Sequence, residues 1–274
     1  MIMEHRLALD RVYRWAHEDD NIRLVVLTGS LARGEGAADD LSDLDIELYV
    51  RDPSLLLERS DWYRPFGEVL VVEEPENVDW HPTRLVHYVD GKIDFMIAGI
   101  DAAIQGVSYD RPFHVLLDKD GLSHGLSRAA GPPLPPSRDE ITRCINWFYA
   151  AALMSAKCLI RGEPWMAKFR DRDVKDELLQ MLVWDHRSRY GWTYDTWHNG
   201  GHLREWIDHD LMDAVGSCWG DFSIVGMGRA LRASVSLFEE LSARTQAALG
   251  VQPFDSGPVR AEIDRLLSLP HRTA

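Results

Sequence analysis

Apolar positions in the first half of the chain follow two different periods. Residues 4–18 carry apolar side chains three or four positions apart, which predicts an amphipathic helix. Residues 24–27 are wholly apolar, as in a short strand that is buried on both faces. In residues 45–50 polar and apolar side chains alternate, which predicts a strand with one covered face and one solvated face.

Further segments of this half add a helix and three strands. Residues 53–62 predict a helix with a proline near its start, and residues 68–72 predict a strand. Residues 86–89 and 92–97 alternate on either side of Asp90-Gly91, a pair that fits the positive-φ positions of a tight hairpin turn. Together these elements predict an α/β (α+β) domain built on a mixed sheet.

The second half shows only the helical period. Its apolar residues recur at helical spacing in five segments, near residues 138–161, 172–190, 202–214, 222–249 and 260–269. This pattern predicts an all-α helical bundle. Four prolines in residues 131–136 predict an extended linker, because proline continues neither a helix nor a central strand. The predicted domains are therefore residues 1–130 and residues 137–274.

Charge is divided unequally between these halves. The net charge of the 274-residue chain is −14, and residues 1–130, with 13 Lys and Arg against 25 Asp and Glu, hold −12 of it. This balance argues against a nucleic-acid partner, which needs clustered Lys and Arg. No apolar run reaches the ~20 residues that span a bilayer, and residues 1–6 lack the features of a secretory signal. We therefore expect a cytoplasmic protein with no membrane partner.

A glycine-serine turn follows the first apolar strand. Gly29 would let a phosphate approach the backbone closely, because it has no Cβ. Ser30 and the free amides of a predicted helical turn after it could donate hydrogen bonds to that phosphate, aided by the helix dipole. The turn therefore predicts a phosphate-binding site.

Three carboxylates complete the candidate chemistry. Asp43 and Asp45 are two residues apart on a predicted strand, so they point the same way. Magnesium would relieve their mutual repulsion, because it prefers oxygen ligands and shares them with phosphates. Asp94 is the best third acid, since a bare charge in an otherwise apolar strand would be costly. We predict that Asp43, Asp45 and Asp94 are catalytic metal ligands for an in-line attack at phosphorus.

These residues carry a family resemblance. Gly29-Ser30, Asp43-Leu44-Asp45 and the later Asp94 resemble the active-site signature of the DNA-polymerase-β-like nucleotidyltransferase superfamily. Further stretches resemble the aminoglycoside 6-adenylyltransferases, the streptomycin-modifying family: Asp61-Trp62, Phe66-Gly67, residues 68–72, Gly91-Lys92-Ile93-Asp94 and residues 177–184. The similarity covers roughly residues 5–245, with both domains in the expected order.

The resemblance implies transfer of AMP from ATP to a hydroxyl of a cationic aminoglycoside such as streptomycin, which confers resistance. The acidic first domain suits such a polycation independently. Residues 35–40, however, depart from the Asn/Pro/Lys-rich loop of the streptomycin enzymes. Another acceptor, such as a lincosamide or a protein, therefore stays open, and so does a catalytically silent module of the antitoxin type.

The remaining assignments concern substrate contacts. The candidate cations for the triphosphate are Arg33, at the turn, and Lys168, in the helical domain. They are predicted in addition to Gly29 and Ser30 of the loop. The general base stays open between Asp94 and an acid of the helical domain. Candidate acceptor contacts in that domain are Asp173, Glu177, Asp185, Trp192 and Tyr194. We expect the site in a cleft between the domains, in a monomer or a homodimer.

Overall fold

A computed structural model describes residues 4–34, 37–75, 81–129, 131 and 133–270. Predictions that concern residues 35–36 of the loop and residue 132 of the linker lie outside these ranges. Contacts divide the chain into two compact units, Met1–Gly131 and Pro132–Ala274. Within the described ranges, no helix combines the length and the apolar character needed to cross a membrane.

The first unit contains a mixed sheet and short helices. Its elements in chain order are α1 (His5–Glu18), β1 (Ile22–Leu27), β2 (Leu44–Val50), α2 (Ser54–Leu57), a 3₁₀ turn (Arg64–Phe66), β3 (Val69–Glu73), β4 (Thr83–Tyr88), β5 (Gly91–Gly99), α3 (Ile100–Gln105), β6 (Val107–Tyr109), β7 (His114–Asp118), a second 3₁₀ turn (Leu122–Gly125) and β8 (Leu126–Arg128). The main sheet has the order β3-β4-β5-β2-β1-β7. Strands β2 and β5 run parallel, whereas the other described pairs of this sheet are antiparallel. β6 and β8 form a separate parallel pair.

Strand β2 positions the polar residues of this unit. Leu44, Ile46 and Leu48 alternate along it and are buried in the core that α1 covers. Side chains on a strand alternate between its faces, so Asp45 and Glu47 lie on the opposite face, where both are half-buried. The hydrophobic alternation of β2 thus selects which face of the sheet carries the acids.

Two predicted elements of this unit differ from the structure. The helix predicted for residues 53–62 ends at Leu57 in α2, because the chain turns back to bury Trp62, whose indole N–H donates to the carbonyl of Leu56 at 2.9 Å. The predicted hairpin turn is displaced by one residue. Gly91 pairs with Tyr88, so the loop is formed by residues 89–90 and Gly91 begins β5.

The second unit is entirely helical in its described residues. Its helices are α4 (Arg138–Ile160), α5 (Pro164–Tyr190), α6 (Leu203–Trp206), α7 (His209–Ser217), α8 (Ile224–Ala248) and α9 (Gly257–Leu267). A capping box of Ser137 and Glu140 begins α4, and Pro164 begins α5 earlier than predicted. The predicted helix 202–214 divides at Asp208, which is extended and accepts a hydrogen bond from Tyr190. The two units confirm the predicted fold classes.

A fully buried carboxylate joins two helices of this unit. Asp185 on α5 accepts four hydrogen bonds, two from Arg189 and two from Arg244 on α8, at 2.8–3.2 Å. Both carboxylate oxygens of Asp185, a predicted acceptor contact, are thus engaged by arginines inside the helical core. Burial of a charge is tolerated where such partners compensate it.

We expect Asp185→Asn to lower the free energy of unfolding by about 2–3 kcal/mol, because two arginines lose their shared buried counter-charge. Urea denaturation measures this loss. The matched control is Glu240→Gln, which removes an exposed partner of Arg244 at 3.1 Å and should change stability by less than about 1 kcal/mol. Equal effects of the two substitutions would show that Asp185 has no special structural role.

Candidate active site

The parallel pairing of β2 with β5 brings two acids from distant parts of the chain together. Asp45 and Asp94 are direct partners in its register. Asp43 lies one residue before β2, rather than on the strand as predicted. It is nevertheless part of the cluster, because both Asp43 and Asp94 accept hydrogen bonds from the same side chain, that of Lys92.

Lys92 is a member of the cluster that sequence reasoning did not assign. Its ammonium lies 3.0 Å from Asp43 Oδ2 and 2.8 Å from Asp94 Oδ2. Burial lowers the pKa of Lys92, but the two hydrogen-bonded carboxylates outweigh burial and raise it overall. A signal was available in the sequence, since residues two apart on a strand share a face and Lys92 precedes Asp94 by two.

Negative charge in the cluster exceeds what Lys92 neutralises. Burial, then the charges of Asp94 and Asp43, raise the pKa of Asp45 to about 6. Burial likewise raises the pKa of Asp94, despite the opposing effect of Lys92. The second oxygen of Asp94, Oδ1, is buried and receives no hydrogen bond within the described part of the chain.

These features bear on the predicted metal. Among the residues that the structure describes, no three His, Cys, Asp or Glu side chains are arranged as a ready-made metal site. The donors nevertheless fit magnesium, because Asp43, Asp45 and Asp94 supply hard oxygen ligands and one buried oxygen lacks a partner. In the structure, the ammonium of Lys92 supplies positive charge to Asp43 and Asp94.

Gly29 has a steric role beside Asp45. Its φ is 68°, and a Cβ built on it would lie 1.8 Å from Asp45 Oδ2. The amide of Thr28 donates to the carbonyl of Asp45 at 2.9 Å, which holds the turn against β2. Glycine is thus required here because the carboxylate packs directly on the backbone, in addition to the phosphate approach inferred from the sequence.

The segment after Gly29 is a turn, and the predicted helical turn is absent. The amide of Arg33 donates to the carbonyl of Ser30 at 3.1 Å, and the chain then leaves the turn without entering a helix. The predicted helix-dipole contribution to phosphate binding is therefore wrong. Arg33 contributes positive charge near the cluster, where it opposes the burial and the neighbouring acids that raise the pKa of Asp45.

Comparison with known proteins shows the family of the chain. The model of the family described as streptomycin adenylyltransferase matches residues 3–256. The chain belongs to that family. It is a nucleotidyltransferase, and the family resemblance inferred from the sequence is confirmed.

Curated relatives named aminoglycoside 6-adenylyltransferase match most of the chain. The protein from Campylobacter jejuni is 26% identical over 260 residues, covering 89% of this chain and 88% of its own. That from Bacillus subtilis is 25% identical over 265 residues, covering 91% and 93%. A crystal structure of an aminoglycoside 6-adenyltransferase from Bacillus subtilis matches at a TM-score of 0.49 and 20% identity, over 98% of this chain and 100% of that one.

The helical unit of this family member holds the other predicted site residues. The Lys168 ammonium donates to the carbonyl of Gly220 at 2.6 Å, which ties it to its own unit. The carboxylate oxygen Oδ2 of Asp173 lies 3.7 Å from Nη1 of Arg170. Trp192 is half-buried, and the ring of Tyr194 packs against that of His186 with centroids 4.6 Å apart.

Glu177 lies in a pocket between α4 and α5. The pocket has a volume of about 230 Å³, and its lining consists of Glu140, Arg143, Cys144, Trp147, Glu177, Gln180 and Trp184. Burial raises the pKa of Glu177. Of the predicted acceptor contacts, Glu177 is thus the one that lines a described pocket together with aromatic rings.

We expect Gly29→Ala to reduce nucleotidyl transfer by at least about 100-fold, because the new Cβ would displace the carboxylate of Asp45 by more than the ~1 Å that costs two orders of magnitude. Initial rates of pyrophosphate release measure this. Gly34→Ala is the matched control, because φ is 105° there but no described atom lies within 4 Å of the added Cβ. A similar loss in both variants would attribute the effect to backbone strain alone.

Proposed function

We propose that this nucleotidyltransferase moves AMP from ATP onto a hydroxyl of a cationic aminoglycoside, with streptomycin or a close relative as the acceptor. The observation that carries the proposal is the pairing of Asp45 with Asp94 across parallel strands, directly beside the Gly29 turn. The names of the curated relatives support the aminoglycoside as acceptor. Such a reaction would act in the cytoplasm, where ATP is present, and would confer resistance to the drug.

The proposed roles follow from the positions of the side chains. Asp43, Asp45 and Asp94 would hold magnesium, which supplies positive charge to the phosphates when bound. The backbone at Gly29 and the hydroxyl of Ser30 would bind the triphosphate. Arg33, whose charge acts on Asp45, would offset the charge of the leaving group.

The transfer step needs an in-line geometry and a base. The acceptor oxygen forms a bond to the α-phosphorus, while the bond from that phosphorus to the oxygen bridging to the β-phosphate breaks and pyrophosphate leaves. The hydroxyl proton passes to a general base, which must lie within hydrogen-bond reach of the acceptor. Of the candidate bases, Asp94 is the one that lies in the acid cluster and has a buried oxygen without a hydrogen bond in the described structure.

Each of the two units has a proposed role of its own. The first unit would bind and activate the nucleotide. Within the helical unit, the lining of the pocket of Glu177, Trp147 and Trp184 would suit a cationic sugar. A carboxylate binds a cationic nitrogen, and aromatic rings pack against the apolar faces of sugars.

Incubation with ATP, magnesium and streptomycin should yield a product that has gained one AMP, detected by mass spectrometry. Asp45→Asn should reduce the rate by at least about 1000-fold, because a metal ligand and several kcal/mol of charge stabilisation are lost. Asp40→Asn removes an exposed acid of the loop that precedes β2 and should leave the rate within about twofold. Transfer to a lincosamide or a protein but not to streptomycin would reassign the acceptor.

Removal of divalent metal should stop the transfer, because Lys92 neutralises only part of the cluster and Asp43, Asp45 and Asp94 would hold the metal that supplies the remaining positive charge. The measurement is the transfer rate in a chelator, followed by readdition of Mg²⁺ to restore it. Circular dichroism should stay unchanged throughout, since Lys92 already compensates Asp43 and Asp94 within the fold. Full activity in the chelator would contradict the metal assignment.

A further inference from the structure

A cavity extends along the sheet from the Gly29 turn. It has a volume of about 760 Å³, within the range of sites that bind drug-sized molecules. Its lining consists of Thr28, Gly29, Glu47, Tyr49, His81, Met96 and residues 106–112. Glu47 and Met96 are direct partners in β2 and β5, two residues beyond Asp45 and Asp94 respectively. The cavity therefore continues the same face that carries the acid cluster.

Glu47 is the carboxylate of this cavity that phenol groups hold in place. The hydroxyls of Tyr49 and Tyr109 lie 3.0 Å and 2.5 Å from Glu47 Oε2, and each can donate its single proton to it. Both contacts are on the same oxygen. The other oxygen, Oε1, has no hydrogen bond within the described residues, so it is available to a ligand in the cavity.

Within the described part of the chain no ion pair joins Glu47 to a cation, in contrast to some other buried or half-buried acids. Asp94 is paired with Lys92, and Asp185 with two arginines. The hydrogen-bond donors to Glu47 are two neutral phenols, and Arg111, which lines the same cavity, lies with its Nε 3.9 Å from Asp110 Oδ2. A half-buried carboxylate held by neutral donors remains in need of positive charge.

We propose that Glu47 is an acceptor-binding residue, whose free oxygen takes an ammonium or guanidinium group of the aminoglycoside in this cavity. This inference rests on the proposed function and adds to it a specific contact in the first unit. The Tyr49 and Tyr109 hydroxyls act as positioning groups, because they fix the carboxylate and leave one oxygen directed to the ligand.

The acceptor suits this position better than the nucleotide does. A carboxylate repels phosphate, and neither adenine nor ribose carries a positive charge at neutral pH. The spacing also fits, because two residues along a strand span about 6.5–7 Å. A cationic nitrogen bound at Glu47 would therefore leave a hydroxyl of the same sugar within reach of the reaction at Asp45 and Asp94.

The test is the variant Glu47→Gln, which keeps an oxygen to accept both tyrosine hydrogen bonds and removes only the charge. Titration calorimetry with streptomycin and no ATP should show binding about 10- to 100-fold weaker, the range expected for losing a hydrogen bond to a charged group. In steady-state transfer the KM for streptomycin should rise similarly, while the KM for ATP should stay within about twofold.

Two further variants separate the contact from general effects. Glu58→Gln removes an exposed charge of the same unit outside the cavity and should leave streptomycin binding unchanged, which controls for long-range attraction. Tyr109→Phe removes one of the two phenols that position the carboxylate, and it should weaken binding by less than Glu47→Gln does. Circular dichroism confirms that each variant is folded.

The outcomes distinguish this inference from the proposed function. If the wild-type protein transfers AMP to streptomycin and Glu47→Gln binds the drug normally, the inference is wrong and the function stands. If Glu47→Gln instead raises the KM for ATP most, the cavity belongs to the nucleotide. If the wild-type protein binds streptomycin through Glu47 without modifying it, the contact stands and the reaction does not. Absence of both binding and transfer overturns both.

Discussion

The parallel pairing of β2 with β5 is the constraint on which the rest of the site depends. It sets two carboxylates from residues 45 and 94 side by side in a partly buried position. Crowded acids repel one another, and the neighbouring features compensate for that. Lys92 bridges two of the carboxylates, and Gly29 lacks the Cβ that would collide with Asp45. Concentrated negative charge of this kind is what a site for metal-bound phosphate requires.

Much of the fold could be predicted from the sequence, because the hydrophobic period is set by which face each element buries. The alternation of β2 and the helical period of the second half are examples. The shortened helix at Leu57 and the displaced hairpin turn could not be predicted, since they depend on tertiary burial of Trp62 and on strand register. Local propensity carries neither kind of information.

The candidate site likewise has features that could be predicted from the sequence and features that could not. Asp43 and Asp45 could be selected as candidates from their spacing, and Asp94 because a charge within an otherwise apolar strand is costly. The sequence could not show that the segment after Ser30 forms a turn and not the start of a helix, because glycine-serine sequences form several kinds of turn. In the sequence, Glu47 is one polar residue of an alternating strand, and its residue type and spacing do not distinguish it from a solvated side chain. Its position in a cavity becomes visible only when Tyr109 is folded against it.

Two interior carboxylates, those of Asp185 and Glu47, have different kinds of partner, and the difference lies in the charge of the partners. Asp185 is neutralised by arginines of its own chain, so it stabilises the helical unit and has no capacity left for a ligand. Glu47 is held by phenols, which fix its geometry without neutralising it. Positive charge from Arg33 acts at the Gly29 end of the same sheet face. One face of the sheet thus carries Arg33 beside the acid cluster at the proposed nucleotide end, and at the proposed acceptor end a carboxylate that its hydrogen-bond donors do not neutralise.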